Sequence, residues 1–236
     1  MDISKEETRL SVLIMCAGMS RRMNSTTPKP YILIKNKPVL QYSAEVFFSY
    51  DYVDRVYFVI NKEHIEYFRK AIEGIKVNPK YGGFIIGGSE RGYSVLNGLN
   101  KLREYKNTGF VAIHDAARPF LSEDVLAKTY LASCKYGGAA PAIEVTDTIK
   151  VVDSEGFIGQ NLVRKSLRAV QTPQIFDFIK LLNIYNSAKR IEEITDDTEV
   201  FVSGGNRVFL THGSRELNKL TYQEDLDLFQ SDHKIQ

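Results

Sequence analysis

Arg21, Arg22 and Lys29 place three cations within nine residues, in a stretch reading Ala17-Gly18-Met19-Ser20-Arg21-Arg22-Met23 and then Thr27-Pro28-Lys29-Pro30. A glycine and small residues let a backbone come close to a phosphate and aim N–H groups at it, and the cations add charge. The stretch lacks the Gly, four residues, Gly-Lys-Ser/Thr spacing of a P-loop, and Ser20 stands where a dinucleotide-binding turn has its second glycine. A second candidate is His114-Asp115-Ala116-Ala117-Arg118-Pro119. A carboxylate there can face a divalent ion bound to phosphates, and the planar fork of Arg118 can clamp an anion. His114 reads as a structural hydrogen-bonding residue rather than a base.

Further candidates are spread along the chain. Gly87-Gly88-Ser89-Glu90-Arg91 reads either as a turn whose backbone recognises a base or ribose, or as a plain turn capped by Ser89. Thr146-Asp147-Thr148-Ile149-Lys150 and Arg164 can contact an anion, and Lys219 can return a cation to the same crevice. Gln171-Thr172-Pro173-Gln174 and Thr195-Asp196-Asp197 read as loop or cap segments. Zinc-ligand spacing and a Gly-x-Ser-x-Gly elbow are both missing from the sequence.

These groups need a scaffold that brings strand ends together, and the hydrophobic pattern supplies one. Ser11 to Cys16 is a continuous apolar run, as in a strand buried on both faces. Strands follow at Val53–Ile60, Phe84–Ile86 and Phe110–Ile113, alternating with helices at Val39–Phe48, Glu63–Ile75, around Val95, Leu99 and Leu102, and at Glu123–Lys135. That order predicts an α/β fold, an open and mostly parallel twisted sheet with helices on both faces. From Glu144 to Val170, β-branched and polar residues alternate around the turn Asp153-Ser154-Glu155-Gly156, which predicts an inserted β-arm. A helix at Phe176–Lys189, a strand at Arg207–Thr211 and a last helix at Gln223–Phe229 complete the reading, as one domain of residues 1–236 with 144–170 protruding.

Composition excludes several classes. The 236 residues are 43% hydrophobic and 25% charged, the mix of an ordinary globular chain. A formal charge of +2 speaks against nucleic acid as a partner, so any anion site is local. The longest apolar run, Val12 to Ala17, is far short of the roughly 20 residues that span a bilayer. Cys16 and Cys134 read as two buried thiols, and the expected location is cytoplasmic.

Taken in order, Cys16-Ala17-Gly18…Arg22-Met23, Pro28-Lys29, Gly87-Gly88-x-x-Arg91-x-x-Ser94-Val95, His114-Asp115-Ala116-Ala117-Arg118-Pro119, Asp147-Thr148-Ile149-Lys150, Gln171-Thr172-Pro173-Gln174, Thr195-Asp196-Asp197 and Lys219-x-Thr221 form a pattern. From Ser11 to Phe229 the sequence resembles the 2-C-methyl-D-erythritol 4-phosphate cytidylyltransferase family. The resemblance implies a Rossmann-like sheet of the nucleotidyltransferase type. It also implies Mg²⁺ as cofactor, and CTP and a polyol phosphate as substrates that react with release of pyrophosphate. Arg22, Lys29 and Lys219 would be the catalytic cations, with Ala17, Gly18, Gly88, Ser89 and Ser94 around CTP. Asp115, Arg118, Thr172 and Thr195 would frame the acceptor, Asp115 standing also near the metal. A homodimer is implied, in which Thr148 and Arg164 of the arm hold the acceptor phosphate of the neighbour.

Ser20, Pro30 and Ser89 depart from the family pattern and bear on nucleotide affinity rather than on reaction type. Ribitol 5-phosphate cytidylyltransferase is the nearest rival on the same scaffold. A catalytically silent nucleotide-binding regulator is the rival of another class, opposed by the presence of Arg22, Lys29, Asp115 and Lys219 together. A glycosyltransferase would carry an Asp-x-Asp motif where His114-Asp115-Ala116 stands.

Overall fold

The computed structural model describes residues 9–18, 27–105 and 108–231. The expected cation Arg22, with Ser20 and Arg21, lies outside the described residues.

The first strand, β1 (Leu10–Met15), runs through the middle of the sheet. Its side chains alternate between two cores: Leu10, Val12 and Ile14 enter one, Leu13 the other. That is why the run from Val12 onward is apolar without a break instead of alternating. A small ribbon of β2 (Leu33–Ile34) and β3 (Lys37–Pro38) turns through Lys35 and Asn36, both at positive φ. There follow α1 (Val39–Ser49), β4 (Val53–Ile60), α2 (Ile65–Ala71), β5 (Tyr81–Ile86), α3 (Arg91–Arg103), β6 (Phe110–Asp115) and α4 (Glu123–Tyr136). Ser122 caps α4 by accepting from the Val125 N–H, and Gly137, at φ +83°, ends it.

The second half comprises β7 (Gly138–Glu144), β8 (Lys150–Val152), β9 (Ile158–Asn161), β10 (Arg168–Val170), β11 (Gln174–Asp177), α5 (Phe178–Ser187), α6 (Asp197–Ser203), β12 (Phe209–His212) and α7 (Gln223–Ser231). Across the main sheet the order is β5-β4-β1-β6-β11-β7, with β10 and β12 also pairing β7. β5, β4, β1 and β6 are mutually parallel, as is the β7–β12 pair, whereas β11 and β10 run antiparallel to their neighbours. No helix among the described residues is long and apolar enough to cross a membrane.

The alternation of the first 136 residues matches the sequence pattern; the differences lie later. β7 is a strand of Gly, Ala and Pro that carries no β-branched signal until Ile143. It forms because small residues fit a tight place: a Cβ on Gly138 would come within 2.7 Å of the Phe201 ring. Phe176 belongs to β11 rather than to a helix, and the helix starts at Phe178, where Asp177 caps it by accepting from the Lys180 N–H. Both Phe176 and Phe178 are buried, so the apolar run did not separate strand from helix. The arm is present as the antiparallel ribbon β8–β9, which pairs with no other described strand, but its last residues return to the main sheet as β10. The Asp153–Gly156 turn forms as expected, with the Asp153 carboxylate accepting from the N–H groups of Glu155 and Phe157.

α3 lies directly on β1. A Cβ at Gly98 would stand 2.6 Å from Leu13 Cδ1, so the helix touches the central strand at a residue with no side chain. Leu13→Ala leaves a hole that Gly98 has no atoms to fill, and we expect a loss of about 3–5 kcal/mol. Urea unfolding of the variant checks this; a midpoint equal to that of the parent would contradict the packing described.

Candidate active site

β1 and β6 are parallel and in register to their ends, Met15 opposite Asp115. The loops leaving β1, β5 and β6 therefore open on one crevice, the usual ligand position in a parallel α/β sheet. A cavity of about 440 Å³ lies there. Ala17 and Gly18 line it from β1, Gly88 and Ser89 from β5, and Asp115 and Ala117 from β6, while Lys29 and Lys219 enter from elsewhere in the chain.

Asp115 is the electrostatic centre. Lys219 Nζ donates to its carboxylate at 2.7 Å, and Arg118 Nε lies 3.8 Å from the same oxygen. Burial pushes the carboxyl up, but Lys219, Arg91 and Arg118 outweigh it and hold Asp115 well below the usual carboxylate range. It is an ionised acceptor at any pH near neutrality.

Beside it, His114 is fully buried. The Asp115 N–H donates to Thr172 Oγ1 at 3.1 Å, so the Thr172 hydroxyl proton is left for His114 Nδ1, also at 3.1 Å. Nε2 then carries the ring proton and donates to the Arg118 carbonyl at 3.1 Å. Each donor in this relay has an acceptor, and the imidazole is neutral. Burial lowers its pKa to about 4. His114 is thus the structural residue that the sequence suggested.

The β5–α3 turn is shaped by close approaches. A Cβ on Gly87 would lie 2.8 Å from both Ala17 Cβ and Ser94 Oγ, and one on Gly88 would strike Tyr93. Ser94 Oγ accepts from the Gly88 N–H and donates to the Glu90 carbonyl, each at 3.1 Å. The hydroxyl therefore folds the turn that faces the cavity. Ser89 is not the cap of α3: Glu90 holds that position, without a side-chain cap bond.

The segment between β12 and α7 carries Lys219 and receives the side chain of Lys29. Gln171 grips it, donating to the Ser214 carbonyl at 2.7 Å and accepting from the Ser214 N–H at 3.1 Å. Leu217 and Leu220 are fully buried on either side of Lys219. Arg118 donates to the Leu217 carbonyl at 2.8 Å, and the Leu220 N–H to the Ala117 carbonyl at 2.8 Å. Lys29, buried, donates to the Thr221 carbonyl at 2.6 Å.

The structure thus brings together Ala17, Gly18, Lys29, Gly88, Ser89, Ser94, Asp115 and Lys219 around the cavity. Arg118 and Thr172 stand just behind it, bonded to the Leu217 carbonyl and to His114 and Asp115. Thr195 is exposed and does not line the cavity; its neighbour Asp196 caps α6. Thr148 and Arg164 are exposed on the arm, where Arg164 donates to the Thr146 carbonyl. Arg91 lines the cavity without having been given a role from sequence. Its place in Gly87-Gly88-x-x-Arg91, at the start of a helix facing the crevice, was the available signal.

The family model described as 2-C-methyl-D-erythritol 4-phosphate cytidylyltransferase matches residues 10–231. An enzyme of that name from Clostridium botulinum strain 657 is 37% identical over 219 residues, covering 92% of this chain and 94% of the relative. The bifunctional enzyme IspD/IspF of Wolbachia pipientis wMel is 40% identical over 93% of the chain, which spans only 54% of that relative's length. The 4-diphosphocytidyl-2C-methyl-D-erythritol synthase of Anaerococcus prevotii has a similar structure, with a TM-score of 0.81 at 25% identity, covering 97% of this chain and 98% of that one. The 2-C-methyl-D-erythritol 4-phosphate cytidylyltransferase of Thermus thermophilus gives a TM-score of 0.71 at 28% identity, over 94% and 97% of the two chains.

Because His114 titrates near 4 when folded and near 6.5 when unfolded, the unfolded chain binds more protons between those values. Stability contributed by the neutral imidazole is complete above pH 6.5 and is lost as pH falls towards 4, by about 3 kcal/mol in all. His114→Gln should remove most of this dependence. Urea unfolding of both proteins between pH 7.5 and 4.5 measures it, and parallel pH profiles would refute the assignment.

Proposed function

The chain belongs to the 2-C-methyl-D-erythritol 4-phosphate cytidylyltransferase family, and we propose that it joins CTP to 2-C-methyl-D-erythritol 4-phosphate. The products are 4-diphosphocytidyl-2-C-methyl-D-erythritol and pyrophosphate, a step of non-mevalonate isoprenoid precursor biosynthesis. The observation that carries this reading is the convergence of Lys29, Lys219, Asp115 and the Gly88 turn on one cavity of nucleotide size.

A phosphate oxygen of the acceptor attacks the α-phosphorus of CTP. The new P–O bond forms as the bond to the bridging oxygen breaks, and pyrophosphate leaves with that electron pair. No protein nucleophile is required, only alignment and neutralisation of charge on phosphoryl oxygens. Lys29 and Lys219 supply that neutralisation from two sides, with Arg22 as a third cation. Lys219 rests on Asp115. The incoming triphosphate competes for the ammonium, and Asp115 is left to accept hydrogen bonds from the acceptor polyol. Gly88 and Ser89, with Ala17 and Gly18, offer backbone groups to cytosine and ribose, on a turn that Ser94 holds in shape. Arg118 and Thr172 support the acceptor side from behind Asp115, and Thr195, outside the cavity lining, meets acceptor groups that extend beyond it on the α6 side.

The donor set suits Mg²⁺ carried in by phosphate oxygens better than a metal caged by protein. No group of three or more His, Cys, Asp or Glu that could hold a metal occurs among the described residues. Asp115 is the carboxylate that would face the ion, whose chemistry is to offset charge on the leaving pyrophosphate. A homodimer through the arm of 144–170, with Thr148 and Arg164 reaching the neighbour's acceptor site, belongs to the same reading. The exposed apolar residues Val152, Phe157, Ile158 and Val163 on that arm support it. So does a cytoplasmic setting, since Cys16 and Cys134 are both free.

Pyrophosphate release should require CTP and the erythritol phosphate, with ATP, GTP and UTP as controls. Lys29→Ala and Lys219→Ala should each lower kcat by about 100-fold or more while the protein stays folded. Near-normal rates in both would defeat the mechanism. Arg164→Ala should raise the acceptor KM. Mixing it with Lys219→Ala should restore activity, because one site of the mixed dimer then has both residues intact; additive, unrestored rates would argue against action in trans.

A further inference from the structure

Arg91 is the first residue of α3, directly after the turn that faces the nucleotide side of the cavity. Its Nη2 donates to Asp197 at 2.5 Å. Asp197 is fully buried, and its other oxygen accepts from the Tyr185 hydroxyl. Asp197 is in turn the first residue of α6. Next to it, Asp196 accepts from Gln174 Nε2 at 2.7 Å, two residues beyond Thr172. Thr195 therefore sits at the end of a segment fastened from the α3 side through Asp197 and from the β11 side through Asp196.

A second contact reinforces the first. Ile191 presses its carbonyl against α3 where Gly92 has no side chain; a Cβ there would lie 2.1 Å from that oxygen. The first turn of α3 and the 191–197 segment thus share an ion pair and a backbone contact at consecutive residues. Arg91 and Asp115 both line the cavity, and the Asp115 charge favours the charged guanidinium. Its Nη1 is buried and has no hydrogen-bond partner among the described residues, so one N–H direction remains open for a rearranged state.

A buried ion pair is a poor way to gain stability, since apolar residues of like volume do as well, but it fixes one geometry. Here the geometry ties the start of α3, whose Arg91 lines the cavity, to the segment that carries Thr195 behind it. We propose that Arg91 is a positioning residue which, through Asp197, couples occupancy of the nucleotide side to the acceptor side, so that each substrate tightens the other. The proposal rests on the function given above.

The test uses the α,β-methylene analogue of CTP, which cannot release pyrophosphate. Calorimetry gives its Kd with and without saturating 2-C-methyl-D-erythritol 4-phosphate. We expect a ratio of about fivefold or more for the parent enzyme, falling towards one in Arg91→Lys. Tyr185→Phe keeps the ion pair and removes one hydroxyl, so it serves where Arg91→Lys does not fold; its ratio should fall at least about twofold. A purely structural role would lower the melting temperature and leave the ratio unchanged, and that result overturns the proposal. A ratio of one in the parent enzyme overturns it as well. Failure of the functional reading is seen separately, as absence of pyrophosphate release with CTP itself.

Discussion

One carboxylate among three cations organises this cavity. Asp115 sits at the end of a central strand, where burial alone would favour its neutral form. Lys219, Arg91 and Arg118 reverse that preference, and each comes from a different part of the chain. The carboxylate needs the cations to stay charged, and the cations need it to gather without repelling one another. A +2 total thus conceals a concentrated group of charges whose balance is local. The cavity thus holds its positive groups in place beside the Asp115 carboxylate.

Positioning is shared between rigid and strapped parts. The strand ends of β1 and β6 are set by register, and the β5–α3 turn by glycine contacts that leave no room for a side chain. Lys219 depends instead on the segment between β12 and α7, pinned by Gln171, Arg118 and the buried Leu217 and Leu220. α7 extends that anchorage: Leu226 and Phe229 join Leu220, Ile34 and Val39 in a third apolar cluster. Asp225 accepts from the N–H groups of Thr221 and Tyr222, so the carbonyl that receives Lys29 is held by the same helix.

The parts of this protein that were legible in sequence are those with strong local signatures. Ser11–Cys16 and Phe110–Ile113 announce buried strands, and the residues following them were readable as a phosphate loop and a carboxylate. β7 was hidden because its small residues give no strand signal, and at Gly138 the rings of Phe176 and Phe201 leave no room for a side chain. β11 was hidden because its buried aromatics run without a break into α5. Among site residues, Lys29, Asp115 and Lys219 were readable from charge beside a strand end or helix. Asp197 was not, since a buried carboxylate is recognisable only with its partners, and Arg91 and Tyr185 are distant in sequence. Thr172 reads in sequence as part of a loop or cap segment, and only the family resemblance implies an acceptor contact; its hydroxyl lies between the Asp115 N–H and His114.

The antiparallel strand β11 lies between β6 and β7, although both precede it in the chain. A growing chain therefore cannot seal the middle of its sheet when β6 and β7 emerge, because the strand that joins them comes some thirty residues after the end of β7. Until then β6 has one hydrogen-bonding edge open, and such an edge invites wrong partners. Pairing of β12 with β7 and docking of the Lys219 segment come later still. Synthesis order thus makes this cavity the last part to be completed, and long-range pairings of this kind slow folding. A chain released before Thr221 would own most of a sheet and none of the grip on Lys29 that its carbonyl provides.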